Sequence, residues 1–330
     1  MNRLEDLARR FDRFQQRHLA TAVFVGLLKK YGDDNAGSLS STIAFSAFGA
    51  VFPLLLLLVT SLELILSHDP SLRARILHSA LADFPVIGTN LGNSIHAIAR
   101  TSVLAYTVSI LALLWTCTGL AQGGLFAMSQ VWNVPGPDRP NFVTRLGRSV
   151  LFLVVLALGV LVSTAVASLG TVAGHGVVVG LLVDLAAATV NVGQYYLAFR
   201  ILTPKAVTSG RLVPGAFVGG ILWTVLQALG AVLVWHALRH ASELYGTFAI
   251  VLGLFAWIKL GTTLTLYAAE LNTVLARHLW PRNIVQPPLT RADQASLAAQ
   301  ATENQRRPEQ LIEVTFSEPP LTQAEFLDQP

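Results

Sequence analysis

Charge is scarce in this sequence: Asp, Glu, Lys and Arg make up 13% of its 330 residues, against about 25% in an ordinary soluble domain. With 53% apolar residues and a mean hydropathy of +0.55, the chain cannot keep a water-facing surface over its whole length. Cysteine is nearly absent too. Cys117 stands alone inside an apolar run, which excludes a disulfide framework or a cysteine zinc site within one chain. There is no Walker-type Gly-Lys-Ser/Thr loop and no Gly-x-Ser-x-Gly nucleophile motif. The sequence therefore predicts neither an enzyme nor a cofactor. Its first apolar stretch, Thr21 to Leu28, lacks a cleavage-type ending, so a removable signal peptide is not expected.

What the chain does contain is long apolar runs. A hydrocarbon core of about 30 Å needs roughly 20 apolar residues in a helix, and only helices and closed barrels satisfy their backbone in lipid. Six runs qualify, at about 43–66, 103–125, 150–172, 177–201, 213–238 and 248–271. None alternates strictly, as a barrel strand would. The expected fold is an all-α polytopic membrane bundle of six transmembrane helices. Just over half of the charged residues fall in two end pieces. Three regions follow: an amphipathic N-terminal segment 1–35, a transmembrane domain 36–280, and a tail 281–330.

Lysine and arginine concentrate on the cytoplasmic side of a membrane protein. With the N-terminus inside, the inner segments carry 18 of them and the outer segments four, with Lys259 left within a span. Both termini are thus expected in the cytoplasm of a bacterial cell, on the inner membrane. The basic excess needs no nucleic acid, because anionic lipid on the inner leaflet attracts such segments.

Leu4, Leu7, Phe11, Phe14 and His18 recur at helical steps, which describes either a helix lying on the membrane surface or one packed on the protein's own loops. Between the first two spans, Leu77, Leu81 and Phe84, then Leu91, Ile95 and Ile98, suggest two short capping helices. The tail holds seven prolines in 50 residues, with many Gln, Glu and Thr. Its composition predicts disorder.

Several fragments stand in a fixed order: Asp33-Asp34, then Phe45, Phe48 and Phe52-Pro53-Leu54-Leu55-Leu56; Trp132-Asn133-Val134-Pro135; Arg200-Ile201-Leu202-Thr203-Pro204; Pro214-Gly215-Ala216; Tyr245-Gly246-Thr247-Phe248; and Ala269-Glu270-Leu271-Asn272. In this order the chain resembles the YihY/BrkB inner-membrane family, formerly labelled ribonuclease BN-like, over roughly Val25 to Arg282. The resemblance implies six spans with cytoplasmic ends. It departs from the family pattern at Ala268, where glycine is common, and at Lys259, where an aromatic or aliphatic residue is expected. Family members carry labels of serum resistance, ribonuclease and lipid export that do not agree, so the resemblance implies architecture rather than activity.

Charged groups near a bilayer centre cost about 2.5–3.5 kcal/mol on insertion scales, so those that remain usually face a bundle interior or a wet cavity. Here they are Glu63, Asp184, Lys259 and Glu270. Asp184 and Lys259 fall at similar depths, and Asn191, Gln194 and Tyr195 extend a polar stripe from Asp184. Such a stripe glues helices or lines a pathway. The substrate-pathway candidates are Asp184, Asn191, Gln194, Lys259 and Glu270; the competing reading is a buried pair that fixes helix register, with Glu270 satisfied by backbone or Arg277. Close helix contacts are expected at Gly119 with Gly123, Gly176 with Gly180, and Gly215 with Gly219. His236, His240 and Glu243 share a helical face and are weak metal candidates; no metal is expected. A ribonuclease would need an acid–base pair beside a basic groove, and the acids here are scattered. The expected activity is transport or flipping of a lipid or other amphiphile, with membrane lipids as partners and a homo-oligomer as one option. The alternative is a non-transporting scaffold or envelope-integrity factor.

Overall fold

The computed structural model describes residues 3–65, 102–172, 177–240 and 246–317. Nine α-helices and no strand occur among these residues: α1 Arg3–Arg17, α2 Leu19–Asp33, α3 Ala36–Ile65, α4 Ser102–Val131, α5 Phe142–Val172, α6 Val177–Leu202, α7 Val213–His240, α8 Gly246–Arg277 and α9 Arg291–Glu303. The helices α3 to α8 are each long and apolar enough to cross a membrane, and all six expected runs fall on them. The two short helices expected between Leu77 and Ile98 lie outside the described residues.

Several of these helices outrun their apolar segments, because backbone hydrogen bonding continues past the residues that favour lipid. At the end of α4, Asn133 adopts φ 44°, its N–H donates to Gln130 O (2.7 Å), and Val134 N–H donates to Ser129 O (2.8 Å). That is a Schellman cap with asparagine in the left-handed position and proline two residues on, so the Trp-Asn-Val-Pro fragment is a helix stop. His278, at φ 54°, ends α8 in the same way, with Leu279 N–H donating to Val274 O (3.1 Å). Asn35, at φ 51°, separates α2 from α3.

The chain divides into two compact units. The first comprises Met1–Ser40, Gly124–Leu226 and Thr263–Pro330. In it α5 and α6 run antiparallel: Gln194 lies over Gly159, and Arg148 Nη1 donates to Thr203 O (3.2 Å), placing a cation on the carbonyl end of α6. The fragment Pro214-Gly215-Ala216 packs on the end of α8. Gly215 N–H donates to Asn272 Oδ1 (2.6 Å), and a Cβ on Gly215 would stand 2.1 Å from Ala268 O. Gly219 meets Tyr195 and Ala268, and Gly220 meets the backbone of Val192. These are the close approaches that small residues allow.

The second unit comprises Ser41–Gly123 and Gln227–Thr262. Gly123 faces Ile43, Gly119 faces Ser46 and Gly49 faces Thr116 at ordinary contact distances, so α3 and α4 are antiparallel neighbours. Phe48 stands edge-on to Phe255 with ring centroids 5.6 Å apart, and Gly230 lies under the Trp257 ring. Of the remaining glycine pair, Gly180 has nothing within 4 Å and Gly176 lies outside the described residues.

The expectation of a disordered tail is corrected for residues 281–317. Helix α9 begins with a capping box in which Thr290 and Asp293 satisfy each other's backbone. Arg282, Asn283 and Asp293 are fully buried. Composition misled because this segment is ordered by ion pairs and hydrogen bonds to α1 and α2 rather than by apolar area.

Candidate functional site

Lys30 sits one turn before the end of α2, fully buried. Taking an ammonium group out of water costs several kcal/mol unless it is paired. Its Nζ donates to Asp34 Oδ2 one turn on, donates to Val131 O at the end of α4 (3.1 Å), and lies 3.5 Å from Glu270 Oε2 of α8. Glu270 is fully buried too, and its contact with Lys30 is a long one. One lysine therefore faces two carboxyl groups. Asn133, held inward by its left-handed cap, donates to Glu303 Oε2 (2.9 Å) and at 3.5 Å to Asp34 Oδ1. Glu303 in turn pairs with Arg139 (3.1 Å).

A second cluster adjoins α2 from the tail. Arg282 donates through Nε to Asp293 Oδ1 (2.9 Å) and through Nη1 to Asp33 Oδ2 (2.5 Å), and Lys29 Nζ donates to Asn283 O and lies 3.5 Å from Asp293. Burial pushes the Asp293 carboxyl up, but Lys29, the Asn283 N–H and Arg282 together hold it below the ordinary carboxylate range. The opposite holds at Glu303, where burial outweighs the help of Asn133 and Arg139 and pushes the carboxyl up. A depressed folded pKa contributes stability that is present above the unfolded value of about 3.9 and lost as pH falls through the folded one. Protection of segment 281–303 from hydrogen exchange is therefore expected to hold from neutral pH down to about 4 and to be lost progressively below it. Asp293→Asn should speed it already at neutral pH.

Beside these clusters a cleft of about 530 Å³ opens, lined by Asp33, Asp34, Gln130, Arg139, Glu303 and Arg306 among others. Asp34 belongs to both the cleft wall and the buried cluster. The lining carries carboxylates and guanidinium groups together, which suits a ligand bearing both signs of charge or several hydrogen-bonding groups.

The sequence-derived candidates are dispersed. Asn191 is buried and donates to Thr224 Oγ1 of α7 (2.9 Å); Tyr195 shares a hydrogen bond with Thr265 of α8 (2.8 Å); Gln194 faces Gly159 of α5. The stripe thus meets three different helices. Asp184 is exposed on α6 and belongs to the first unit, whereas half-buried Lys259 belongs to the second. Glu270 is paired with Lys30 rather than with Arg277, whose Nη2 donates to Trp132 O (2.6 Å). His236 and His240 lie on the last turns of α7, and Glu243 is outside the described residues. Among the described residues no group of three or more His, Cys, Asp or Glu is placed to hold a metal ion.

Lys30, Asp34, Asn133, Arg139 and Glu303 were not singled out from the sequence as site residues. The four-residue step from Lys30 to Asp34 is a local ion-pair signal, but both had been accounted for otherwise, as topological charge and as a family fragment. No curated protein and no solved structure matches the chain. The family model described as Virulence factor BrkB matches residues 27–290, a stretch that includes every residue of the buried cluster except Glu303. With six membrane-crossing helices and that match over most of its length, the chain belongs to the BrkB family and is a multi-pass membrane protein.

Proposed function

We propose that the protein moves or accommodates an amphiphile, a phospholipid or lipid-linked molecule, whose polar head group engages the charged cleft at Asp34 and the cluster behind it. The observation that carries this reading is Glu270: a fully buried carboxyl that must share Lys30 with Asp34 and stands 3.5 Å from that lysine. Two buried carboxyl groups on one ammonium are under-compensated, and such a group calls for a role beyond packing. A bundle selected only for stability would gain by losing this group. The protein acts without chemistry on its substrate and without a cofactor, in the bacterial inner membrane, with both termini in the cytoplasm as its 18-to-four distribution of cations supports.

A second reading, a membrane scaffold, is favoured by the direct contacts of Asn191 with Thr224 and of Tyr195 with Thr265, which join neighbouring helices. Reconstitution separates the two. In liposomes carrying a fluorescent anionic phospholipid in both leaflets, the transporter exposes inner-leaflet label to a membrane-impermeant reductant, whereas a scaffold leaves it protected as in protein-free vesicles.

A further inference from the structure

A helix packed on its own protein normally turns its apolar side inward and its polar side to water. Over residues 11–17, helix α1 does the reverse. Asp12, Gln15 and Gln16 are buried because the tail segment grips them: the Asp12 carboxylate accepts from the N–H groups of Ile284 (2.9 Å) and Val285 (3.0 Å), and Gln15 Nε2 donates to Arg282 O (2.8 Å). The opposite side carries Phe11, 49% exposed, and Phe14, 53% exposed. Those two rings lie 6.5 Å apart and His18 adds a third at 4.8 Å, which makes one continuous aromatic strip.

The strip does not end with α1. Leu19, 67% exposed, opens α2, and Phe24 and Leu28 continue the outward apolar series in the same unit as the membrane-crossing α5 and α6. Charge names the occupant. The first 17 residues hold five arginines against three acids, exposed Arg17 falls beside the aromatic strip, and one of the acids, Asp12, is buried in the tail's grip. An apolar strip with a basic flank matches the boundary between acyl chains and anionic head groups.

We infer that α1 is an interfacial anchor: it lies in the head-group layer of an anionic bilayer with Phe11, Phe14 and Leu19 at the acyl boundary, held at that depth by tail residues 282–285 clasping its polar side. The anchor is independent of whether the protein transports anything. It also gives the ordered tail a purpose, since its grip on Asp12, Gln15 and Gln16 fixes which side of the helix turns outward.

The test uses full-length protein with Cys117→Ser, carrying Phe14→Cys labelled with an environment-sensitive fluorophore, in phosphatidylcholine–phosphatidylglycerol vesicles. Glu309→Cys, at an exposed polar site, is the water-facing control. Quenching by aqueous iodide is expected to be about threefold weaker at position 14 than at 309, with strong quenching at 14 by lipids spin-labelled near the head group. Phe11→Cys, on the same strip, repeats the measurement should Phe14→Cys fold poorly. Iodide access at 14 and 11 equal to that at 309 would overturn the inference. So would excimer emission from pyrene at position 14, because the strip would then be covered by a second copy of the chain.

Discussion

Lys30→Met is expected to destabilise the first unit by about 3–5 kcal/mol, because breaking a buried ion pair from one side leaves uncompensated charge. The asymmetry of the cluster makes the effect directional. Lys30 is the cation that Asp34 and Glu270 share, so its loss strands two buried carboxyl groups and removes a donor from Val131 O. Removing Glu270 has the opposite logic, for its contact with Lys30 is a long one, 3.5 Å, and Lys30 keeps Asp34. Adding Glu270→Leu to Lys30→Met should therefore recover part of the loss. Thermal unfolding of the purified protein in detergent reads both: a Lys30→Met midpoint equal to wild type would mean that the lysine is not the cluster's essential cation.

The second large effect is expected at Gly215. A Cβ there would stand 2.1 Å from Ala268 O and 2.5 Å from Asn272 Nδ2, closer than atoms approach. Gly215→Ala must push α7 off α8 and lengthen the 2.6 Å hydrogen bond from Gly215 N–H to Asn272. We expect a cost of about 3 kcal/mol, the upper end of ordinary overpacking. Gly193, on α6, has nothing within 4 Å of such a Cβ, and Gly193→Ala is expected to stabilise by about 0.5–1 kcal/mol through helix propensity alone. The pair of variants changes the same atoms in two helices of one unit. Equal shifts in unfolding midpoint at the two sites would show that the α7–α8 approach is not tight.

The membrane-crossing helices were legible because hydropathy over some twenty residues is a local property, summed along the chain without knowing what it touches. Their ends were not. Asn133 and His278 stop helices through the backbone geometry of single residues, and α8 continues through polar Asn272, Thr273 and Arg277 to a cap set by hydrogen bonds. The tail was misjudged for a related reason. Its order depends on where Asp12, Lys29 and Asp33 lie, more than 240 residues earlier in the chain, and composition carries no such information. At the site, spacing put Glu270 in an apolar run and Asn191, Gln194 and Tyr195 on one helix face. It could not say that their partners are Lys30, Thr224, Gly159 and Thr265, because periodicity fixes which residues share a face and leaves open which helix that face meets.

The measurement closest to the central claim separates stability from transport at Glu270. With Glu270→Gln in the fluorescent-lipid liposomes, and the same preparation followed by thermal unfolding, we expect a midpoint equal to or above wild type, since a poorly satisfied carboxyl is replaced by a neutral group of the same shape. We expect lipid movement to fall by about tenfold, corresponding to roughly 1.4 kcal/mol on the rate-limiting step. Wild-type protein that moves no more lipid than protein-free vesicles, or a Glu270→Gln protein that is folded and moves lipid as fast as wild type, would contradict the account.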